Sequence, residues 1–160
     1  MTGDESEPTP DLAARLDPLL RRRWLLVGVG NELRGDDAIG PRVARRLKAA
    51  GLPALEAGPA PENLTGPIRR YAPDVLILCD AAELGEAPGT VRLLGGDDIA
   101  IGGTSTHDPS LTMLLEYLQS HHAMEVRLLA IQPATRALGA ELTPEVLRAE
   151  ERLVEAMQPP

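Results

Sequence analysis

Apolar residues recur along the chain with two different periods. Short runs over residues 24–29, 54–57, 74–80, 90–94 and 125–131 carry the compact apolar or alternating pattern of strands. Between them lie stripes at helical spacing. Ile39, Val43 and Leu47 mark a helix over 37–50, and Leu64, Ile68 and Tyr71 a second one. Leu111, Leu114, Leu115 and Leu118 mark a third, and Val146, Leu147, Leu153, Val154 and Met157 a terminal one. Proline sharpens the starts, because it is harmless only in a first turn, where N–H groups have no intrahelical partner. Pro41 therefore puts a helix start near Asp36 or Asp37, and Pro67 makes Thr65 the expected N-cap. Asp108-Pro109 and Thr143-Pro144 read as N-cap and N1 pairs.

Strands alternating with helices predict a three-layer α/β/α sandwich around a doubly wound, mainly parallel five-stranded sheet. The run 74–80 is the clearest buried parallel strand. The alternation over 90–94 suits a half-exposed edge strand, and one antiparallel edge strand is expected. With strand order 2-1-3-4-5, strands 1 and 3 meet at the topological switch point, where ligands bind beyond the carboxyl ends. Residues 24–157 form the single α/β domain of this reading. Residues 1–23 form an N-terminal extension, disordered over 1–10, with one or two helical turns through Leu12, Leu16, Leu19 and Leu20 that Asp17-Pro18 interrupts. The glycine-rich stretch 95–106 reads as a loop.

Composition narrows the chemistry. The 160 residues suffice for one well-filled core, and that core must be aliphatic: Phe is absent, Trp occurs once and Tyr twice. A formal charge of −8 disfavours nucleic acid and anionic membrane surfaces. Cys79 is the only cysteine, which excludes an intrachain disulfide and a cysteine-rich zinc site. With no signal pattern and no apolar run long enough to span a bilayer, a cytoplasmic protein is expected, and a monomer.

The chemistry concentrates after strand 1, in Gly28-Val29-Gly30-Asn31-Glu32-Leu33-Arg34-Gly35-Asp36-Asp37-Ala38-Ile39-Gly40. Strand, glycine turn and helix would suit a phosphate cradle, but Leu33 replaces the third glycine of a dinucleotide fingerprint. Asp36 stands where a Walker A lysine would be. Two carboxylates at a helix start repel phosphate and suit a cation. Asp37 follows strand 1 and Asp80 ends strand 3, so both open onto the switch-point crevice. His107, just before the third helix, adds an imidazole, and such a mixed oxygen/nitrogen set suits nickel, zinc or another divalent ion. Plainer roles compete: a turn or cap for Asp80, loop carbonyls for His107, and complementing the helix dipole for Asp36. Cys79 reads as a packed strand residue, and Arg34 as an exposed loop arginine.

Gly30 to Gly40 resembles the opening motif of the [NiFe]-hydrogenase maturation endopeptidases, Gly-Asn-X-X-X-Gly/Thr-Asp-Asp/Glu-X-X-Gly. Ala60-Pro61-Glu62-Asn63, Cys79-Asp80-Ala81, Pro88-Gly89, Thr106-His107 and Ile131-Gln132-Pro133 resemble the branch that processes formate-hydrogenlyase-type hydrogenases. The likeness runs in order through about residues 24–157, with Ala38 where glycine is common. It implies a protease that removes the C-terminal extension of a [NiFe]-hydrogenase large-subunit precursor after nickel insertion. The family's metal-contacting positions fall on Asp37, Asp80 and His107, and the nickel arrives with the substrate. The other reading is a non-catalytic nickel-sensing accessory or assembly protein using the same crevice.

Overall fold

The computed structural model describes residues 9–95 and 109–159. Five strands form one sheet: β1 (Trp24–Val29), β2 (Ala54–Gly58), β3 (Val75–Ala81), β4 (Val91–Gly95) and β5 (Glu125–Ile131). The helices are α1 (Thr9–Leu20), α2 (Ile39–Ala49), α3 (Thr65–Tyr71), α4 (Pro109–His121) and α5 (Pro144–Met157), with short 3-10 turns at Gly35–Ala38 and Pro61–Leu64.

The strand order is β2-β1-β3-β5-β4, with only β4 antiparallel. The expected architecture therefore stands, but the order 2-1-3-4-5 does not, because β5 takes the place beside β3. Burial explains the exchange. β5 ends on four consecutive buried residues and needs a neighbour on each side, whereas β4 buries only Leu93 and tolerates the edge. The switch point between β1 and β3 is unaffected.

Each face of the sheet has its own aliphatic core. Leu26, Ile77, Cys79 and Leu129 point towards α1, α2 and α5, and their neighbours Leu25, Val27, Leu76, Leu78 and Leu128 towards α3 and α4. Strand alternation thus divides one sheet between two helical layers. Each fully buried Leu or Ile contributes about 1.5–3 kcal/mol relative to exposure.

Several local expectations change. Asp36 and Asp37 sit in a 3-10 turn, and the α-helix proper starts at Ile39. Thr65 is the first residue of α3 rather than its cap, and its hydroxyl donates back to the Glu62 carbonyl at 2.9 Å. Leu147 is exposed, because the buried stripe of α5 runs through Val146, Ala149, Glu150, Leu153, Val154 and Met157, one step round the helix. Asp17-Pro18 does not divide α1, whose Leu16 and Leu19 are buried in the core beside α5. Arg42 and Arg46 of α2 reach Glu150 of α5 instead of simply facing water. Of the stretch 1–10 expected to be disordered, Thr9 and Pro10 instead open α1, and Gly95, expected in the glycine-rich loop, ends β4. Residues 1–8 and 96–108, which hold the rest of that loop, His107 and the Asp108 cap, lie outside the described residues. Among the described residues no helix is long and apolar enough to cross a membrane.

Candidate active site

The glycines of the opening motif let backbone meet backbone. A Cβ on Gly28 would lie 2.1 Å from the Gly40 carbonyl oxygen. One on Gly40 would lie 2.2 Å from that of Val29 and 2.3 Å from that of Cys79. The start of α2 is therefore pressed against the ends of β1 and β3 together. Gly30, with φ of 144°, turns the chain out of β1 beneath the Asp37 carbonyl. These contacts explain a glycine-rich turn without any phosphate.

The two adjacent carboxylates have unlike surroundings. Asp36 is fully buried. Its Oδ2 accepts the N–H groups of Ala134 and Thr135 at 2.8 and 3.2 Å, and its Oδ1 that of Thr143 at 2.7 Å. The Thr143 hydroxyl lies within 3.0 Å of both carboxylate oxygens. Asp36 thus pins the segment 134–143 to the opening turn, a role beyond complementing the helix dipole. Thr143 stands at the N-cap position of α5, but its side chain serves Asp36 and makes no cap hydrogen bond. Nothing local in the sequence signals this pairing, since its partners are about a hundred residues apart.

Asp37 is only half-buried, and its Oδ2 accepts the Asn31 N–H at 2.8 Å. Asn31 in turn accepts the Leu33 N–H on its side-chain oxygen at 2.9 Å, which shapes the loop that orients Asp37. Asp80 is half-buried near the end of β3, directly after the Cys79 carbonyl that Gly40 contacts. Asp37 and Asp80 therefore belong to the same end of the sheet, beyond adjacent strands. His107 lies outside the described residues, and among those described no three His, Cys, Asp or Glu side chains cluster as metal ligands. Two carboxylates, one just after β1 and one near the end of β3, supply hard oxygen donors of a kind that divalent ions accept.

Cys79 is fully buried. Burial above all, with the nearby Asp80 and Glu150 charges, pushes its thiol pKa far up, so no thiolate nucleophile forms there. The far side of the crevice is braced by Gln132, a buried residue at the end of β5. Its Oε1 accepts the N–H groups of Leu84 and Glu86 at 2.6 and 3.3 Å, and its Nε2 donates to Glu83 and to the Pro133 carbonyl. Gln132 thereby holds the loop that follows Asp80. The signal for it was an amide directly after the apolar run Leu128–Ile131, ahead of proline.

The chain matches the family model described as "Hydrogenase maturation protease" over residues 41–159. It is 33% identical over 138 residues to the hydrogenase 3 maturation protease of Escherichia coli, covering 84% of this chain and 88% of that one. This chain belongs to the hydrogenase maturation protease family. It is accordingly a peptidase, a hydrolase. The protease also shares its fold with solved relatives. The solution structure of the endopeptidase HycI from Escherichia coli matches with a TM-score of 0.73 at 32% identity, covering 83% of this chain and 87% of the other. The crystal structure of the [NiFe] hydrogenase maturation protease HycI from Thermococcus kodakarensis matches with a TM-score of 0.76 at 28% identity, covering 88% and 94%.

Proposed function

We propose that the protease removes the C-terminal extension of a [NiFe]-hydrogenase large-subunit precursor once nickel has been inserted, and that the bound nickel is what it recognises. What supports this reading is the placement of Asp37 just after β1 and of Asp80 near the end of the adjacent strand β3, with the start of α2 pressed against both strands through Gly40. Nickel belongs to the substrate, and Asp37, Asp80 and His107 supply oxygen and nitrogen donors to its open positions. In the protease without substrate, zinc or another divalent ion suits the same donors. The ion positions the precursor so that the bond to be cut lies in the crevice. Hydrolysis needs a water that loses a proton as it attacks the scissile carbonyl. Asp37 or Asp80 takes that proton as a carboxylate base, or the water is activated at the ion itself. The buried, protonated Cys79 leaves the water route as the one its surroundings favour. The protease works in the cytoplasm as a monomer in this reading.

The test is to incubate the protease with nickel-loaded precursor and follow the precursor's mass. Loss of a C-terminal peptide is expected with nickel and not without it. A stable complex of unchanged mass would instead mark a nickel-sensing assembly protein. Asp37→Asn, Asp80→Asn and His107→Ala are each expected to abolish processing while the circular dichroism spectrum and melting point hold. Retained processing in all three rejects the site.

A further inference from the structure

The rim of the crevice carries a second feature that metal recognition leaves unused. Segment 134–143, held by Asp36, lies against the opening loop at several points. The Asp36 N–H donates to the Thr135 carbonyl at 2.9 Å, the Gly139 N–H to the Leu33 carbonyl at 2.8 Å, and Arg34 to the Arg136 carbonyl at 3.4 Å. From this segment the half-buried side chain of Arg136 reaches the end of β3, where Nη2 donates to the Ala81 carbonyl at 3.1 Å. Ala81 immediately follows Asp80. Arg136 therefore brings a permanent positive charge to the strand end that also presents the candidate catalytic carboxylate.

Its bonding is incomplete. The Nε of Arg136 is buried without a hydrogen-bond partner, the one such side-chain atom among the described residues. Nor does any carboxylate among the described residues pair with Arg136, although Arg42, Arg45, Arg46 and Arg92 all have acidic partners. A guanidinium offers five N–H donors in a planar fork, and burying a donor without an acceptor is costly. Nε itself is enclosed, so an incoming oxygen can meet the guanidinium only at its Nη groups. Leu33 and Leu138, exposed at 68% and 70%, stand on the two loops that the Gly139 hydrogen bond joins.

We propose that Arg136 is a substrate-binding residue of the crevice, donating to a main-chain carbonyl of the precursor segment beside the bond to be cut. This rests on the protease reading above. Every peptide carries the required acceptor, so the contact depends on where the chain lies rather than on which side chains it bears. The precursor's oxygen gives the guanidinium an acceptor in addition to the Ala81 carbonyl, and the segment is thereby aligned along the end of β3 next to Asp80. Leu33 and Leu138 give its apolar side chains a dry ledge. Binding of this kind acts on ground state and transition state alike, so it appears in KM and not in kcat.

Arg136→Gln, Arg136→Lys and the wild-type protease are compared for steady-state cleavage of nickel-loaded precursor, for equilibrium binding to it, and for melting temperature. Loss of a charged hydrogen bond is expected to raise KM and Kd about tenfold in Arg136→Gln, with kcat little changed. Arg136→Lys, which retains a charged donor, is expected to recover part of that loss. Unchanged KM and Kd in Arg136→Gln, or a lowered melting temperature as the sole effect, overturns the proposal. So does a KM that rises steeply with salt in the wild type and not in Arg136→Gln, since that marks a carboxylate of the precursor as the partner. If the wild type binds precursor without cutting it, the protease reading fails, and the Kd comparison still decides whether Arg136 holds the chain.

Discussion

Among the described residues two carboxylates are almost completely buried, and they are satisfied in opposite ways. At the crevice rim, Asp36 is enclosed by main-chain N–H groups and one hydroxyl. At the α2–α5 interface, Glu150 is 1% exposed and faces Arg42 at 2.6 Å and Arg46 at 3.4 Å. Main-chain donors cannot move without moving the fold, so Asp36 fixes the position of a whole loop. Arginine side chains are long and still partly in water, each 40% exposed, so the Glu150 cluster joins two helices while leaving them room to adjust. The rigid arrangement lies beside the proposed site, and the adjustable one where packing of Val43, Leu47, Val146 and Leu153 already holds the layers together.

Replacing Asp36 tests the rigid half and carries the largest effect. Asp36→Asn keeps the shape but points an amide donor at N–H groups that have no other acceptor. It is expected to destabilise the fold by about 3 kcal/mol, read by urea unfolding. Precursor processing should fall with it, because the rim segment that carries Arg136 loses its anchor. Retention of both stability and processing would show that the loop is held by something other than this carboxylate.

The adjustable half predicts smaller and asymmetric losses. Arg42→Ala leaves Glu150 buried with only the longer contact to Arg46, and is expected to cost about 2 kcal/mol. Glu150→Gln frees two arginines that can turn to water, and is expected to cost about 1 kcal/mol. Both variants should process precursor at close to the wild-type rate per folded molecule. A loss of processing in either would break the contrast between a rim that serves the site and an interface that serves the fold.

The smallest expected effect is on pH dependence at the opposite end of the sheet. The Arg127 hydrogen bond, assisted by Arg22, holds the Glu125 carboxyl below its ordinary value of 4.5. A folded-state pKa lowered in this way adds stability that is complete above about pH 4.5 and is lost as pH falls through the folded value. Glu125 is largely solvated, so the contribution is small. Glu125→Gln should flatten the acid limb of the melting-temperature profile slightly below pH 4.5 and change nothing near neutrality. An unchanged acid limb would show that the pair contributes nothing measurable.

The strands were readable wherever a short apolar run had to be buried on both faces. Helix starts were readable to within a few residues near Pro41, Pro67 and Pro144, but Pro18, inside α1, misled the same rule. The glycines of the opening turn were recognisable as a motif, but their purpose was not. Gly28 and Gly40 lie against each other only because α2 folds back over β1 and β3, a contact that local pattern does not encode. The edge place of β4 was readable in its alternation; only the full order, with β5 between β3 and β4, waited for the assembled sheet.

The sequence by itself determined the α/β class, the aliphatic core, the switch-point position of Asp37 and Asp80, and a motif resembling the maturation endopeptidases. Periodicity and chain direction suffice for these, because both act over neighbouring residues. Only the tertiary structure gave Asp36 its segment to hold, gave Gln132 its loop, set Arg42 on Glu150 and brought Arg136 to the end of β3. Each of those depends on hydrogen-bond donors and acceptors dozens of residues apart, and in a buried site it is the partner that gives a polar side chain its role.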